Sequence, residues 1–165
     1  MVGKAVPSHS SIASSGSSYF IPGPWGRILQ PMARYVVDAP TLLRIVSDGV
    51  QIRADHQLVA PNSVRSEALS LLYGEVRRGE RKEADALRLH ERLTELKVRL
   101  LGDRVLRRTA WRIAREQGWD AIADAEYLAV TQLQADALVT VDMSLARKAA
   151  GIVPLASFDA LTSGS

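Results

Sequence analysis

From Met32 onward, short apolar runs alternate with segments whose apolar residues recur at helical spacing. Ala33-Arg34-Tyr35-Val36-Val37 is rich in aromatic and β-branched side chains and predicts a strand ending at Asp38. Pro40 suits the first turn of a helix, and Leu42, Leu43, Ile45 and Val46 give that helix an apolar face. Leu58-Val59-Ala60 predicts a second strand. Pro61-Asn62-Ser63 then opens a helix in which Val64, Ala68, Leu71, Leu72 and Val76 repeat up to Gly79. Lys82 to Leu96 predicts a third helix, with Leu87, Leu89, Leu93 and Leu96 among mixed charges. A strand at Lys97–Leu101 follows, then a helix from Asp103 to Gln117 stopped by Gly118, and a fifth helix capped by Asp120 and running to Ala135. Ala137-Leu138-Val139-Thr140-Val141 is the clearest strand and ends at Asp142. A short helix (Ser144–Ala150) stops at Gly151, and Ile152-Val153 offers a last strand. Strands separated by helices pair in parallel. The expected fold class is therefore α/β, a three-layer α/β/α sandwich with a mainly parallel central sheet and ligands at the carboxyl ends of its strands.

The first 31 residues break this pattern, with seven serines, four glycines, four prolines and no periodicity. Ala5 to Gly26 carries no formal charge, but its serines and prolines make it too polar for hydrocarbon, and it lacks the apolar run of a signal peptide. The expected organisation is a disordered tail over residues 1–31, one folded domain over 32–160 and a short flexible C-terminus over 161–165. Met32 is a candidate start codon for a chain of 134 residues.

A chain of 165 residues suffices for one domain with a real core. The absence of cysteine excludes disulfides, thiolate zinc sites and thiol nucleophiles, and fits a cytoplasmic location. His9, His56 and His90 are too scattered for a zinc site. The net charge of +3 is unevenly placed, because Lys4 and Arg27 supply two of the three charges from within the first 31 residues. The folded part is nearly neutral, and its chemistry rests on carboxylates, hydroxyls and backbone.

Four carboxylates stand in positions that call for explanation. Asp38 and Asp142 each terminate an apolar strand, which places them at the carboxyl edge of the sheet; each also reads as the N-cap of the helix that follows. Glu67 falls between Val64 and Leu71 on the apolar stripe of its helix, where a carboxylate is costly to desolvate unless paired or metal-bound. Asp124 shares a face with Ala121, Ala125 and Leu128. A salt bridge to an arginine accounts for Glu67, and the positive end of the helix dipole for Asp124. Taken together, the four acids converge on one sheet edge, and clustered carboxylates stay ionised only beside a cation. Oxygen-only ligation suits Mg²⁺, with Mn²⁺ as an alternative, and leaves positions for water and a substrate phosphate. Asp120 reads as a cap rather than a fifth ligand, and Glu75 and Glu126 as solvent-facing or paired.

The ordered set Tyr35-Val36-Val37-Asp38, Ser66-Glu67-Ala68-Leu69, Asp124-Ala125-Glu126-Tyr127-Leu128-Ala129 and Leu138-Val139-Thr140-Val141-Asp142 resembles the PIN-domain ribonucleases. Within them it is most similar to the VapC toxins of toxin–antitoxin modules. The resemblance spans residues 33 to about 158 and is most specific from Asp124 to Asp142. It implies that Asp38, Glu67, Asp124 and Asp142 bind Mg²⁺ and form the catalytic set of an endoribonuclease that hydrolyses RNA phosphodiesters. It places Thr140 as a hydroxyl beside the last acid. It also implies a small antitoxin whose tail occupies the groove, and a homodimer. One departure is that Asp38 is followed by Ala39-Pro40-Thr41, where many relatives place Ser, Thr or Asn close behind the Asp. A polar neighbour is therefore expected to be missing, which keeps open a catalytically silent PIN fold that binds antitoxin or RNA. A receiver-like signalling domain also has strand-end acids but expects a lysine at a late strand end, whereas Lys148 falls within a helix.

Arg104, Arg108, Arg112 and Arg115 form one stripe, opposite Val105, Thr109 and Ile113, and read as a solvated, acid-paired face or as phosphate contacts. Arg77, Arg78, Arg81 and Lys82 cluster at a helix end, where the dipole accounts for them. Trp25, Trp111 and Trp119 are dispersed, with no stacking platform evident.

Overall fold

A computed structural model describes residues 33–163. Four strands, β1 (Ala33–Val37), β2 (His56–Pro61), β3 (Val98–Leu101) and β4 (Ala137–Val139), form one sheet in the order β3-β2-β1-β4, with every pairing parallel. Six helices connect or follow them: α1 (Ala39–Ser47), α2 (Val64–Arg77), α3 (Glu83–Glu95), α4 (Arg104–Gln117), α5 (Ala123–Gln134) and α6 (Met143–Ala149). The chain steps from β1 to β2 to β3 in one direction and then returns past β1 to β4. Parallel crossovers are right-handed, so this reversal puts α1, α2 and α3 on one face and α4 and α5 on the other. The packing agrees, since α1, α2 and α3 touch one another, while α4 lies on α5 and α5 on β1, β2 and β4. The α/β sandwich expected from the alternation of elements is the fold observed.

The local signals explain most boundaries. Asp38 caps α1 through a bond from the Thr41 N–H, and Asp103 caps α4 through the Leu106 N–H. Gly118 ends α4 at φ 68°, a left-handed conformation that glycine adopts without strain. Because α5 is enclosed between the sheet and α4, Ala125, Tyr127, Leu128, Ala129, Val130 and Thr131 are all buried.

Three expectations need correcting. Ile152-Val153 forms no strand; the chain instead meets β4 two residues later, in a single parallel bridge between Leu138 and Leu155. Two residues are too few to prolong the sheet, and the turn around Gly151 delays the approach. Asp120 does not cap α5, which starts at Ala123 with Ile122 at its N-cap. Leu161 is fully buried at the end of a 3₁₀ turn (Phe158–Leu161), and its carbonyl accepts from the Arg53 N–H, so packing continues one residue past 160. Residues 1–32 and 164–165, and with them the expected tail and alternative start, lie outside the described residues.

The αL cap at Gly118 yields a test. A Cβ there meets nothing within 4 Å, so Gly118→Ala carries only the conformational cost, about 1 kcal/mol, read as a lower urea midpoint with an unchanged slope.

Candidate functional site

The sheet order changes direction between β1 and β4, and at such a switch point the loops after the two strands part to leave a crevice at the carboxyl edge. A cleft of about 440 Å³ lies there, and Asp38, Glu67, Asp124 and Asp142 all line it, together with Ser63, Ser66 and Tyr127. Four carboxylates from four separate elements thus share one cavity.

Asp38 sits deepest, with 2% of its surface exposed. One carboxylate oxygen accepts from the Thr41 backbone N–H and the Thr41 hydroxyl, and the other accepts from the Thr140 hydroxyl at 2.5 Å. Each hydroxyl is oriented in turn by a backbone donor, since Val141 N–H donates to Thr41 Oγ1 and Asp142 N–H to Thr140 Oγ1, both at 3.0 Å. The polar neighbour expected to be missing after Asp38 is thus present one residue beyond Ala39-Pro40, where the first helical turn folds Thr41 back onto its own cap. Burial raises the Asp38 pKa above its ordinary 3.8; the bonds from Thr140 and Thr41 oppose the shift, and the nearby Asp142 charge adds to it.

Glu67 is held by two hydroxyls, Ser63 Oγ on one oxygen and Tyr127 Oη on the other, both at 2.7 Å. The arginine partner that a structural role predicts is absent among the described residues. Ser63 makes no side-chain cap bond because its hydroxyl is turned to Glu67. Burial, and then the Glu67 carboxylate, push the Tyr127 pKa far up, which keeps the phenol a proton donor. Glu126, expected to be solvent-facing or paired, lies 3.4 Å from the same Ser63 hydroxyl. Leu71, placed with Glu67 on the apolar stripe, is exposed and lines the cleft instead.

Asp124, in the first turn of α5, pairs with Lys148 of α6. Lys148 also lies over the Trp119 ring, 5.4 Å from its centre. Asp142 caps α6 through the Ser144 N–H at 2.8 Å, so the capping reading holds for Asp38 and Asp142 alike, although β4 stops at Val139 rather than running to Val141 as expected. Each cap bond uses one carboxylate oxygen, and in Asp142 the other has no protein donor among the described residues. The residues that sequence reasoning missed are Ser63, Thr41 and Lys148. A serine preceding a helix whose Glu lies four residues on is a local signal for the first, whereas Lys148 meets Asp124 only through the fold.

The donor set is oxygen-only and suits a hard divalent cation. Among the described residues, however, no three Asp, Glu or His side chains stand close enough to hold one ion between them. Glu67 is turned to its two hydroxyls and Asp124 to Lys148, so a cation in the cleft would compete with these partners for the two carboxylates.

No family model matches the chain, and no curated protein does. Solved structures do match. PAE2754 from Pyrobaculum aerophilum is 26% identical and superposes with a TM-score of 0.63 over 78% of this chain and 93% of that one. VapBC-1 from nontypeable Haemophilus influenzae is 16% identical, with a TM-score of 0.51 over 76% of this chain and 98% of that one. The resemblance read from the four acidic segments is borne out at the level of the fold, and the chain has the PIN-like α/β fold of these neighbours.

The environment of Asp38 predicts a pH dependence. Its folded pKa lies above 3.8, so its contribution to stability is complete below that value and is lost as pH rises through the folded pKa. The stability of Asp38→Asn relative to wild type, followed by thermal melts, therefore increases as pH rises above about 4. A relative stability that falls over this range contradicts the assignment.

Proposed function

We propose that this PIN-fold chain is a divalent-metal-dependent endoribonuclease acting as the toxin of a toxin–antitoxin pair. The observation that carries the reading is the convergence of Asp38, Glu67, Asp124 and Asp142 on one cleft at the point where the sheet reverses direction. Mg²⁺ or Mn²⁺ bound among these oxygens would supply charge stabilisation to an RNA phosphodiester and a water of lowered pKa. Asp38 and Asp142 are its first holders in this reading, because both line the cleft and one oxygen of Asp142 has no protein donor among the described residues. The Thr41 and Thr140 hydroxyls hold Asp38 in one orientation and point their protons at it, which keeps the carboxylate an acceptor. Ser63 and Tyr127 do the same for Glu67, aiming it across the cleft. Lys148 neutralises Asp124 and keeps one wall of the acidic cleft from repelling a polyanion.

The partner in this reading is a small antitoxin, supported by the likeness to a VapBC structure. An apolar groove of about 410 Å³ between α2 and α3, lined by Leu69, Tyr73, Val76 and Leu87, adjoins the cleft at Ser70. It has the chemistry to seat the apolar face of an amphipathic helix. Association into a homodimer belongs to the same proposal. No described helix is long and apolar enough to cross a membrane.

Two observations favour a second reading, a silent fold that binds antitoxin or RNA without cutting: Asp124 is already paired with Lys148, and no three acids among the described residues stand close enough to hold one ion. Cleavage of end-labelled RNA by the purified full chain separates the two. With Mg²⁺ the wild type cleaves, chelation abolishes cleavage, and Asp38→Asn and Asp124→Asn each reduce it on the order of a hundredfold or more. Equal residual cleavage in wild type and both variants removes the enzyme reading. Lys148→Ala frees Asp124 from its competitor, so Mn²⁺ raises the melting temperature of this variant more than that of the wild type.

A further inference from the structure

Helix α4 has an unusual outer face. Leu106, Ala110, Ile113 and Ala114 are its buried residues, and they complete its packing. Val105, expected opposite the arginine stripe, is 59% exposed and shares the solvent side with it. Trp111 is 65% exposed and therefore contributes little to the core. It lies three or four residues from Arg107, Arg108 and Arg115, so on the helix surface it is ringed by guanidinium groups. Of the five arginines of α4, only Arg112 has a carboxylate partner among the described residues, Glu116 at 3.3 Å. Arg107 donates to the Gly102 carbonyl at 2.9 Å, while Arg104, Arg108 and Arg115 have no side-chain partner among the described residues. A face solvated through ion pairs, the plainer expectation for this stripe, is thus not what α4 presents, and a tryptophan that looks dispersed in the sequence stands within it.

The stripe begins beside the cleft. Helix α4 follows β3 at the carboxyl edge of the sheet. The Asn62 N–H, adjacent to the Ser63 that holds Glu67, donates to the Leu101 carbonyl at 2.8 Å. Gly102 and Asn62 are in such close contact that a Cβ on Gly102 would lie 2.1 Å from the Asn62 amide nitrogen. From that junction the row Arg104, Arg108, Trp111, Arg115 runs along α4 for about 16 Å.

We propose that this outer face of α4 is a track for single-stranded RNA, on which a base stacks against Trp111 while Arg104, Arg108 and Arg115 contact the flanking phosphates. Guanidinium groups without carboxylate partners match a chain of phosphates, and an exposed indole matches the flat face of any base. A second copy of the protein is disfavoured as occupant, because a two-fold contact here would set one arginine stripe against another. The ribonuclease reading supplies the identity of the strand, whereas the track itself rests on α4 alone.

The test is binding of a labelled short oligouridine to the full chain by fluorescence anisotropy, with EDTA present so that no cleavage intervenes. Trp111→Ala weakens binding about tenfold and Trp111→Phe restores most of it. The double variant Arg104→Ala/Arg108→Ala lowers the slope of log affinity against log salt by about 1.4. Arg88→Ala, whose guanidinium is paired with Asp85 on α3, leaves both quantities as in the wild type. Wild-type binding in Trp111→Ala, no binding by the wild type, or a loss confined to self-association by sedimentation each overturns the track. The two proposals fail separately. Carboxylate-dependent cleavage with no effect of α4 variants on binding removes the track alone, and α4-dependent binding without cleavage removes the nuclease alone.

Discussion

The buried carboxylate of Asp38 is the constraint on which the carboxyl edge of this protein is built. A desolvated acid must have its lone pairs met, and here they are met by the first turn of α1 and by the segment after β4. Because the Thr41 and Thr140 hydroxyls are themselves anchored by the Val141 and Asp142 N–H groups, these four residues and Asp38 form a connected set of bonds across 100 positions of chain. That set fixes the distance between the ends of β1 and β4, and so the shape of the cleft that opens between them. Burial alone would drive Asp38 toward its neutral form, and the three donors are what limit that tendency.

Electrostatic balance then divides the surface into two regions. The cleft concentrates acids, with Asp38 and Glu67 restrained by hydroxyls, Asp124 by the ammonium of Lys148 and Asp142 by the Ser144 N–H. The outer face of α4 concentrates arginines of which only Arg112 has a carboxylate partner among the described residues, although the domain as a whole is nearly neutral. An acidic cavity ordinarily repels a polyanion, so a basic surface beginning at the β2–β3 junction complements it in a way that net charge alone cannot express.

Much of this was legible in the sequence because it is local. Strand and helix alternation follows from apolar periodicity, the caps at Asp38 and Asp142 from residue type, and the end of α4 from Gly118. The positions of the four acids were legible too, two as strand-end residues and two as polar intrusions near helix starts. Short and context-dependent features were not. Ile152-Val153 has strand composition but too little length, and Asp120 has cap chemistry but stands outside the helix that it was expected to cap. Tyr127 looks like an ordinary core aromatic until its hydroxyl is seen on Glu67.

The sequence by itself determined which elements form, that their strands run parallel, and which carboxylates stand at strand ends and helix starts, since each depends on neighbours within a few residues. Only the tertiary structure decided the order β3-β2-β1-β4, and with it the switch point that brings those acids to one cleft. It also decided that Lys148 meets Asp124, that Thr140 completes the bonding of Asp38, and that Trp111 is left exposed beside Arg108 and Arg115, which have no carboxylate partner among the described residues. Such contacts join residues far apart in the chain, and no local pattern encodes them because their energies exist only once the layers have packed.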